Sequence, residues 1–185
     1  MRESAIIAGI LRHNAELASV GGAEVVIPPG DDMAEVRLRG RRALVASDQV
    51  IEGVHWLPGT DLALVARKAL ARNVSDVAAM AAIPACAVAT VAFAPGTPDS
   101  RVLALADGLR AAAREFACPV VGGDVGMHAS PGAPLVLSVA ILAEPGPSGR
   151  VVTRSGARAG DMLCVTGSLG DGSVSYTHLT LPTKA

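Results

Sequence analysis

Aspartates recur in this chain where a carboxylate is hardest to accommodate. GDDM (30–33), VASDQVIEGVHW (45–56), NVSDVAAM (73–80) and VGGDVG (121–126) each set one against valine, alanine or glycine. Desolvating an ionised carboxylate there is costly unless a cation or hydrogen bonds answer it. Several such sites in one chain of 185 residues point to a shared cation, and so to magnesium bound together with a phosphorylated nucleotide.

Composition narrows the alternatives. Half the residues are hydrophobic and the formal charge is −1, which predicts a packed core rather than disorder. The arginines are scattered and aromatics make up 2%, so neither a basic stripe nor a base-stacking platform for nucleic acid is present. Cys86, Cys118 and Cys164 are odd in number and far apart, which fits reduced core thiols and a cytoplasmic setting. The stretch 78–95 is nearly free of polar side chains, but alanine contributes little to membrane insertion. Pro84 is expected to divide it into a helix end and a strand, with no membrane span.

Periodicity gives the element order. MRESAIIAGILRHN reads as an amphipathic helix starting at Ser4, and the Gly21-Gly22 and Pro28-Pro29-Gly30 clusters as loops. Strands are predicted at 33–38 and 42–50 around a turn at 39–41, with Asp48 near the end of the second. Asp61 can cap a long helix running through Met80, in which Leu62, Val65, Ala69, Asn73, Asp76 and Val77 share a face. A strand at 85–93, a helix at 99–116, and strands at 119–121 and 135–142 complete an α+β sheet with helices on one face. The segment 144–149, rich in Pro, Gly and Ser, reads as a linker into the start of a second α/β domain. This predicts domains at 1–146 and 147–173. VSYTHLTLPT resembles a translated transposase-type sequencing adapter, so 174–185 is expected to be a non-native tail, with no role for Tyr176 or His178.

No G-x-x-x-x-G-K-[ST] or strand-anchored G-x-G-x-x-G occurs. Phosphate would have to be held by backbone amides of glycine-rich turns and by metal ions bridging to carboxylates, a task Gly122-Gly123-Asp124 could serve. Each motif alone has a plainer reading. Asp31, Asp32 and Asp124 also suit turns, Asp48 a strand end, His55 a satisfied structural histidine, Trp56 a core anchor and Arg154 an exposed loop cation. Their co-occurrence is the signal.

Taken in order, GDDM, SDQVIEGVHW, RKALARNVSDVAAMAAIP, VVGGDVG and TRSGARAGDMLCVTGSLGD resemble the thiamine-monophosphate kinase family. Its superfamily includes aminoimidazole ribonucleotide (AIR) synthetase, selenophosphate synthetase and the hydrogenase maturation ATPases. The resemblance implies a ferredoxin-like, AIR synthetase-type N-terminal domain that pairs as a homodimer. It also implies transfer of the γ-phosphoryl group of ATP onto thiamine monophosphate, with no catalytic side chain of its own. Asp32, Ser47, Asp48, Asp76 and Asp124 would be Mg2+ ligands, Gly123, Asp124 and Arg154 would touch ATP, and His55 the thiamine phosphate. Ala81 stands where the family frequently has glycine. The rival readings are another ATP-dependent enzyme of the superfamily and a non-catalytic nucleotide-binding dimerisation domain. These residues by themselves are expected to be an inactive part of the enzyme.

Overall fold

The structure, a computed structural model, describes residues 3–14 and 23–165, with the side chains of 3, 4 and 11–14 left aside. The elements are α1 (Glu3–Asn14), β1 (Ala23–Ile27), β2 (Ala34–Leu38), β3 (Arg41–Ile51), α2 (Leu62–Ala79), β4 (Ala82–Phe93), α3 (Asp99–Glu115), β5 (Val120–Met127) and β6 (Val136–Pro145). Asp61 caps α2 as expected, its Oδ1 accepting from the Ala63 amide at 2.9 Å. The buried stripe of α2 is Leu62, Val65, Ala66, Ala69, Leu70, Asn73 and Val77, the spacing of one helical face. Helix α3 crosses it closely at Gly108, where a Cβ would lie 2.7 Å from the Ala63 Cα.

The six strands form one sheet in the order β1-β2-β3-β6-β4-β5. All neighbours are antiparallel except β4 and β5, the parallel pair that α3 connects. Alternation along the strands sends Leu44, Val50, Ala87, Phe93, Leu137, Val139 and Ile141 into the core beneath α2 and α3. Val45, Val88 and Leu142 face outward and are exposed. The β2–β3 hairpin turns on Arg39 and Gly40, with φ of 49° and 83°, the doubly positive geometry that suits the twist of a two-residue loop.

Three features depart from the sequence reading. Strand β1 lies between two glycine- and proline-rich clusters that mask its short apolar alternation. Gly122, Gly123 and Asp124 run within β5, paired with Val88, Ala89 and Thr90, and do not form a turn. At Gly123 a Cβ would sit 1.6 Å from the Ala89 carbonyl oxygen, so the missing side chain is what lets these strands approach. Finally, the division between α2 and β4 falls at Met80 and Ala81, while Pro84 sits inside β4 beside a register irregularity. Among the described residues no helix is long and apolar enough to cross a membrane.

A half-buried ion pair ties the hairpin down. Glu35 is fully buried and accepts from Arg42 at 2.5 Å (Nε) and 2.8 Å (Nη2), while Arg42 Nη1 reaches the Gly149 carbonyl at 2.6 Å. Removing Arg42 would leave the Glu35 carboxylate buried and uncompensated, a change that typically costs about 3–5 kcal/mol. The chain divides into two compact units, Met1–Arg154 and Ser155–Ala185. In the second, the described stretch 155–165 contains a turn in which Arg158 and Asp161 bond each other, and no helix or strand. The 174–185 tail lies outside the described residues.

Ala81 follows the α2 C-cap with φ of 53°, a left-handed conformation normally given to glycine. Holding alanine there costs about 1–2 kcal/mol, only part of which returns as glycine's extra unfolded-chain entropy. Ala81→Gly should therefore stabilise the chain by about 0.5–1 kcal/mol, a rise of roughly 1–4 °C in Tm. An unchanged or lower melting temperature would show that the left-handed residue carries no strain.

Candidate functional site

The site begins where a ladder stops. The last rung between β2 and β3 is Ala34–Val45, yet β3 continues to Ile51 with β6 alone beside it. That leaves the other flank of Ala46, Ser47 and Asp48 free of strand partners, and the 30–33 turn leads into β2 next to it. The last turns of α2 pack across the same region. Asn73, buried completely, accepts the Asp48 amide on Oδ1 at 3.2 Å and donates from Nδ2 to the Ala69 carbonyl at 3.0 Å. The helix thereby supplies the hydrogen bond that an absent strand would have made.

Around this join the carboxylates meet two arginines. Arg72 Nε donates to Asp48 Oδ2 at 3.1 Å. Arg154 Nη2 pairs with Asp32 Oδ1 at 2.5 Å, and its backbone amide donates to both oxygens of Asp31 at 3.1 Å. Asp76, one helical turn beyond Arg72, has its carboxyl raised above the ordinary aspartate value. Burial contributes most, followed by the charges of Asp48 and Asp32, against the opposing pull of Arg72 and Arg154. Asp76 therefore lies within reach of the charges of both Asp48 and Asp32. Among the described residues no three His, Cys, Asp or Glu side chains converge tightly enough to cage a metal ion. Arg72 holds Asp48, and Arg154 holds Asp31 and Asp32.

A polar cavity of about 560 Å³ opens beside this group, lined by Ser47, Asp48, Gln49, His55, Arg72 and Ser138 among others. His55 sits in a tight turn after β3. Its Nδ1 accepts from the Ile51 amide at 3.0 Å, which makes Nε2 the hydrogen-bearing nitrogen of the neutral ring. Lys68 fixes the same turn by donating to the His55 carbonyl at 2.5 Å. Burial and the neighbouring Arg72 charge hold the Lys68 ammonium below its usual range.

The structure thus brings together Asp31, Asp32, Ser47, Asp48, His55, Asp76 and Arg154 around the part of β3 that extends beyond its pairing with β2. Gly123 and Asp124 are placed elsewhere. Pairing runs from Asp48 through Val139 and Ala89 to Gly123, so Asp124, one residue on, leaves the sheet on the face opposite Asp48. Three strand spacings separate the two, about 14 Å. The sequence reading missed Arg72 and the structural use of Asn73. An asparagine on the buried stripe of α2 was the available signal for the second, since a buried amide demands partners.

Comparison with known proteins agrees with the architecture. Residues 30–144 match the family model described as AIR synthase related protein, N-terminal domain. The chain belongs to this family. Thiamine-monophosphate kinase of Salmonella typhimurium is 35% identical over 151 residues, 81% of this chain and 44% of that protein. The enzyme of the same name from Mycobacterium tuberculosis is 34% identical over 159 residues, 83% of this chain and 45% of that protein. The chain spans somewhat under half the length of these relatives. Among solved structures, "AaThiL complexed with AMPPCP and TMP" superposes with a TM-score of 0.75 at 31% identity, covering 92% of this chain and 52% of that one. Thiamine-monophosphate kinase from Stenotrophomonas maltophilia gives 0.64 at 31% identity, covering 88% and 49%. A HypE–HypF complex, at 20% identity and a TM-score of 0.57 over 69% of this chain and 40% of that one, shares the fold.

The raised Asp76 carboxyl has a signed consequence for stability. The folded state favours the protonated form more than the unfolded state does. The cost is therefore absent at low pH, appears as pH rises through the ordinary carboxylate range, and is complete once the raised folded-state value is passed. Asp76→Asn should raise the melting temperature at pH 7 in the absence of divalent cations, with a gain that shrinks as the pH is lowered toward 4. A variant that melts lower than the parent at pH 7 would contradict this account.

Proposed function

We propose that this chain is the N-terminal part of a thiamine-monophosphate kinase, in which ATP donates its γ-phosphoryl group to the phosphate of thiamine monophosphate. The observation that carries this reading is the gathering of Asp32, Asp48 and Asp76 around the open flank of β3, where Arg154 pairs with Asp32 and Arg72 with Asp48. The family membership and the kinase relatives support it, as does the likeness to a protein solved with AMPPCP, an ATP analogue, and TMP. The boundaries proposed are an N-terminal domain at 1–146, the beginning of a second domain at 147–173 and a non-native tail at 174–185. A cytoplasmic location goes with the reading.

Hard oxygen donors suit Mg2+, which keeps several waters and commonly takes one or two carboxylates plus substrate phosphate. Carboxylates that are grouped but not caged fit that habit. Asp32, Asp48 and Asp76 would hold such ions, with the Ser47 hydroxyl beside them, and the bound ions would offset the repulsion between two anionic reactants. Arg154 would turn from Asp32 to ATP phosphate once a cation takes over the carboxylate. His55, with Nε2–H directed by its Ile51 bond, would donate to the thiamine phosphate. No side chain need act as a base, because a phosphate monoester is largely dianionic at neutral pH, its second pKa lying near about 6. The remaining work is orientation and charge neutralisation.

The position of Asp124 fits a homodimer. It lies on the opposite face and about 14 Å from Asp48, so it would join the cation site across a two-fold axis, contributed by a second copy together with Gly123. The test is complementation. Asp48→Asn and Asp124→Asn should each abolish Mg2+-dependent AMPPCP binding. Co-refolding the two variants should restore roughly a quarter of the sites, because half the dimers are then mixed and each holds one intact site. Mixtures that stay inert, or single variants that bind normally, would overturn this arrangement.

A further inference from the structure

Arginines in this chain pair with carboxylates in two distinct ways. Arg42 meets Glu35 edge-on through Nε and Nη2, and Arg67 meets Glu115 through Nε and Nη2, the two-point geometry expected of a structural ion pair. Arg72 differs. It contacts Asp48 through Nε alone, at 3.1 Å, and among the described residues nothing engages its Nη1 or Nη2. The end of the guanidinium that matches a phosphate is left free, on a residue that lines the polar cavity with His55.

The surroundings are built for an anion. Asp48 is the only carboxylate among the described residues lining that cavity, and Arg72 itself neutralises it. The other polar groups are the hydroxyls of Ser47 and Ser138, the Gln49 amide and the His55 imidazole. The His55 Nδ1 is committed to the Ile51 amide, so Nε2 presents a donor. Lys68, one helical turn before Arg72, anchors the His55 turn through its carbonyl, so both donors are positioned from α2. A phosphate dianion placed among the carboxylates of Asp31, Asp32 and Asp76 would be repelled, whereas here it meets a two-pronged cation and an N–H donor.

We propose that Arg72 is a second phosphate-binding residue of the acceptor site: its Nη1 and Nη2 grip the phosphomonoester while His55 Nε2–H donates from the side. This rests on the kinase reading and deepens it, since it assigns the acceptor phosphate to the cavity flanking Asp48. Nε keeps its bond to Asp48, so one side chain links the acceptor phosphate to a proposed metal-binding carboxylate.

The test separates gripping from mere support of Asp48. The full chain carrying 15N-histidine is titrated with inorganic phosphate while the Nε2 resonance of His55, assigned through His55→Gln, is followed. Mn2+ binding in the presence of AMPPCP is measured in parallel. The parent should show a saturable His55 shift. Arg72→Met should weaken phosphate by about tenfold or more, the loss expected for charge-assisted hydrogen bonds. Arg72→Lys, which keeps the charge but not the fork, should recover only part of that affinity while still binding Mn2+. If Arg72→Met fails to fold, the comparison of Arg72→Lys with the parent carries the test. Unchanged phosphate affinity in the variants, no saturable shift in the parent, or a joint loss of Mn2+ and phosphate in Arg72→Lys would each overturn the proposal. Loss of Mn2+ binding by the parent itself would instead remove the kinase reading beneath it.

Discussion

The arrangement depends on one buried amide. Asn73 satisfies the Asp48 N–H that the truncated β2–β3 ladder leaves open, and it returns its own N–H to the carbonyl one turn back in α2. A strand edge and a helix are thus locked in register at the point where the acidic residues gather. The cost of leaving either buried polar group unpaired is about 1–3 kcal/mol, enough to make alternative registers unfavourable. Because Arg72 and Asp76 flank Asn73 in α2, fixing that one side chain also fixes the sign and spacing of the charges facing Asp48.

Electrostatics then explains why these carboxylates are grouped but not closed. Four aspartates, 31, 32, 48 and 76, face two arginines, 72 and 154, so the arrangement is left two charges negative. Such a deficit is unfavourable to a folded chain by itself and favourable to one divalent cation. At Asp76 it adds to burial, which is the larger cause of the raised carboxyl, through the charges of Asp48 and Asp32. The same logic separates this net-acidic rim from the neighbouring cavity, where Asp48 is the one carboxylate among the described lining residues.

Much of this was legible in the residues. The Asp61 cap, the buried stripe of α2 and the amphipathic α3 follow from local rules, and the structure has them where those rules put them. Strand β5 was not legible beyond its first residues, because two glycines read as a turn when nothing reveals the parallel neighbour that needs their missing side chains. Pro84 misled for the opposite reason, since a register irregularity in β4 tolerates the absent N–H that usually ends an element. For the site, the motifs named the carboxylates but not their partners. That Arg72 would face Asp48, or that Asp124 would lie on the other face, depends on strand order, and order is a tertiary property that spacing along the chain does not encode.

The central claim is that Asp32, Asp48 and Asp76 act as one anionic site for a divalent cation. Carboxylate 13C resonances of the aspartates, followed through a Mg2+ titration at constant ionic strength, address it directly. The account predicts that these three move together along one saturating curve while the distant Asp99 and Asp107 stay still. Three separate midpoints, or a uniform drift of every aspartate, would contradict it.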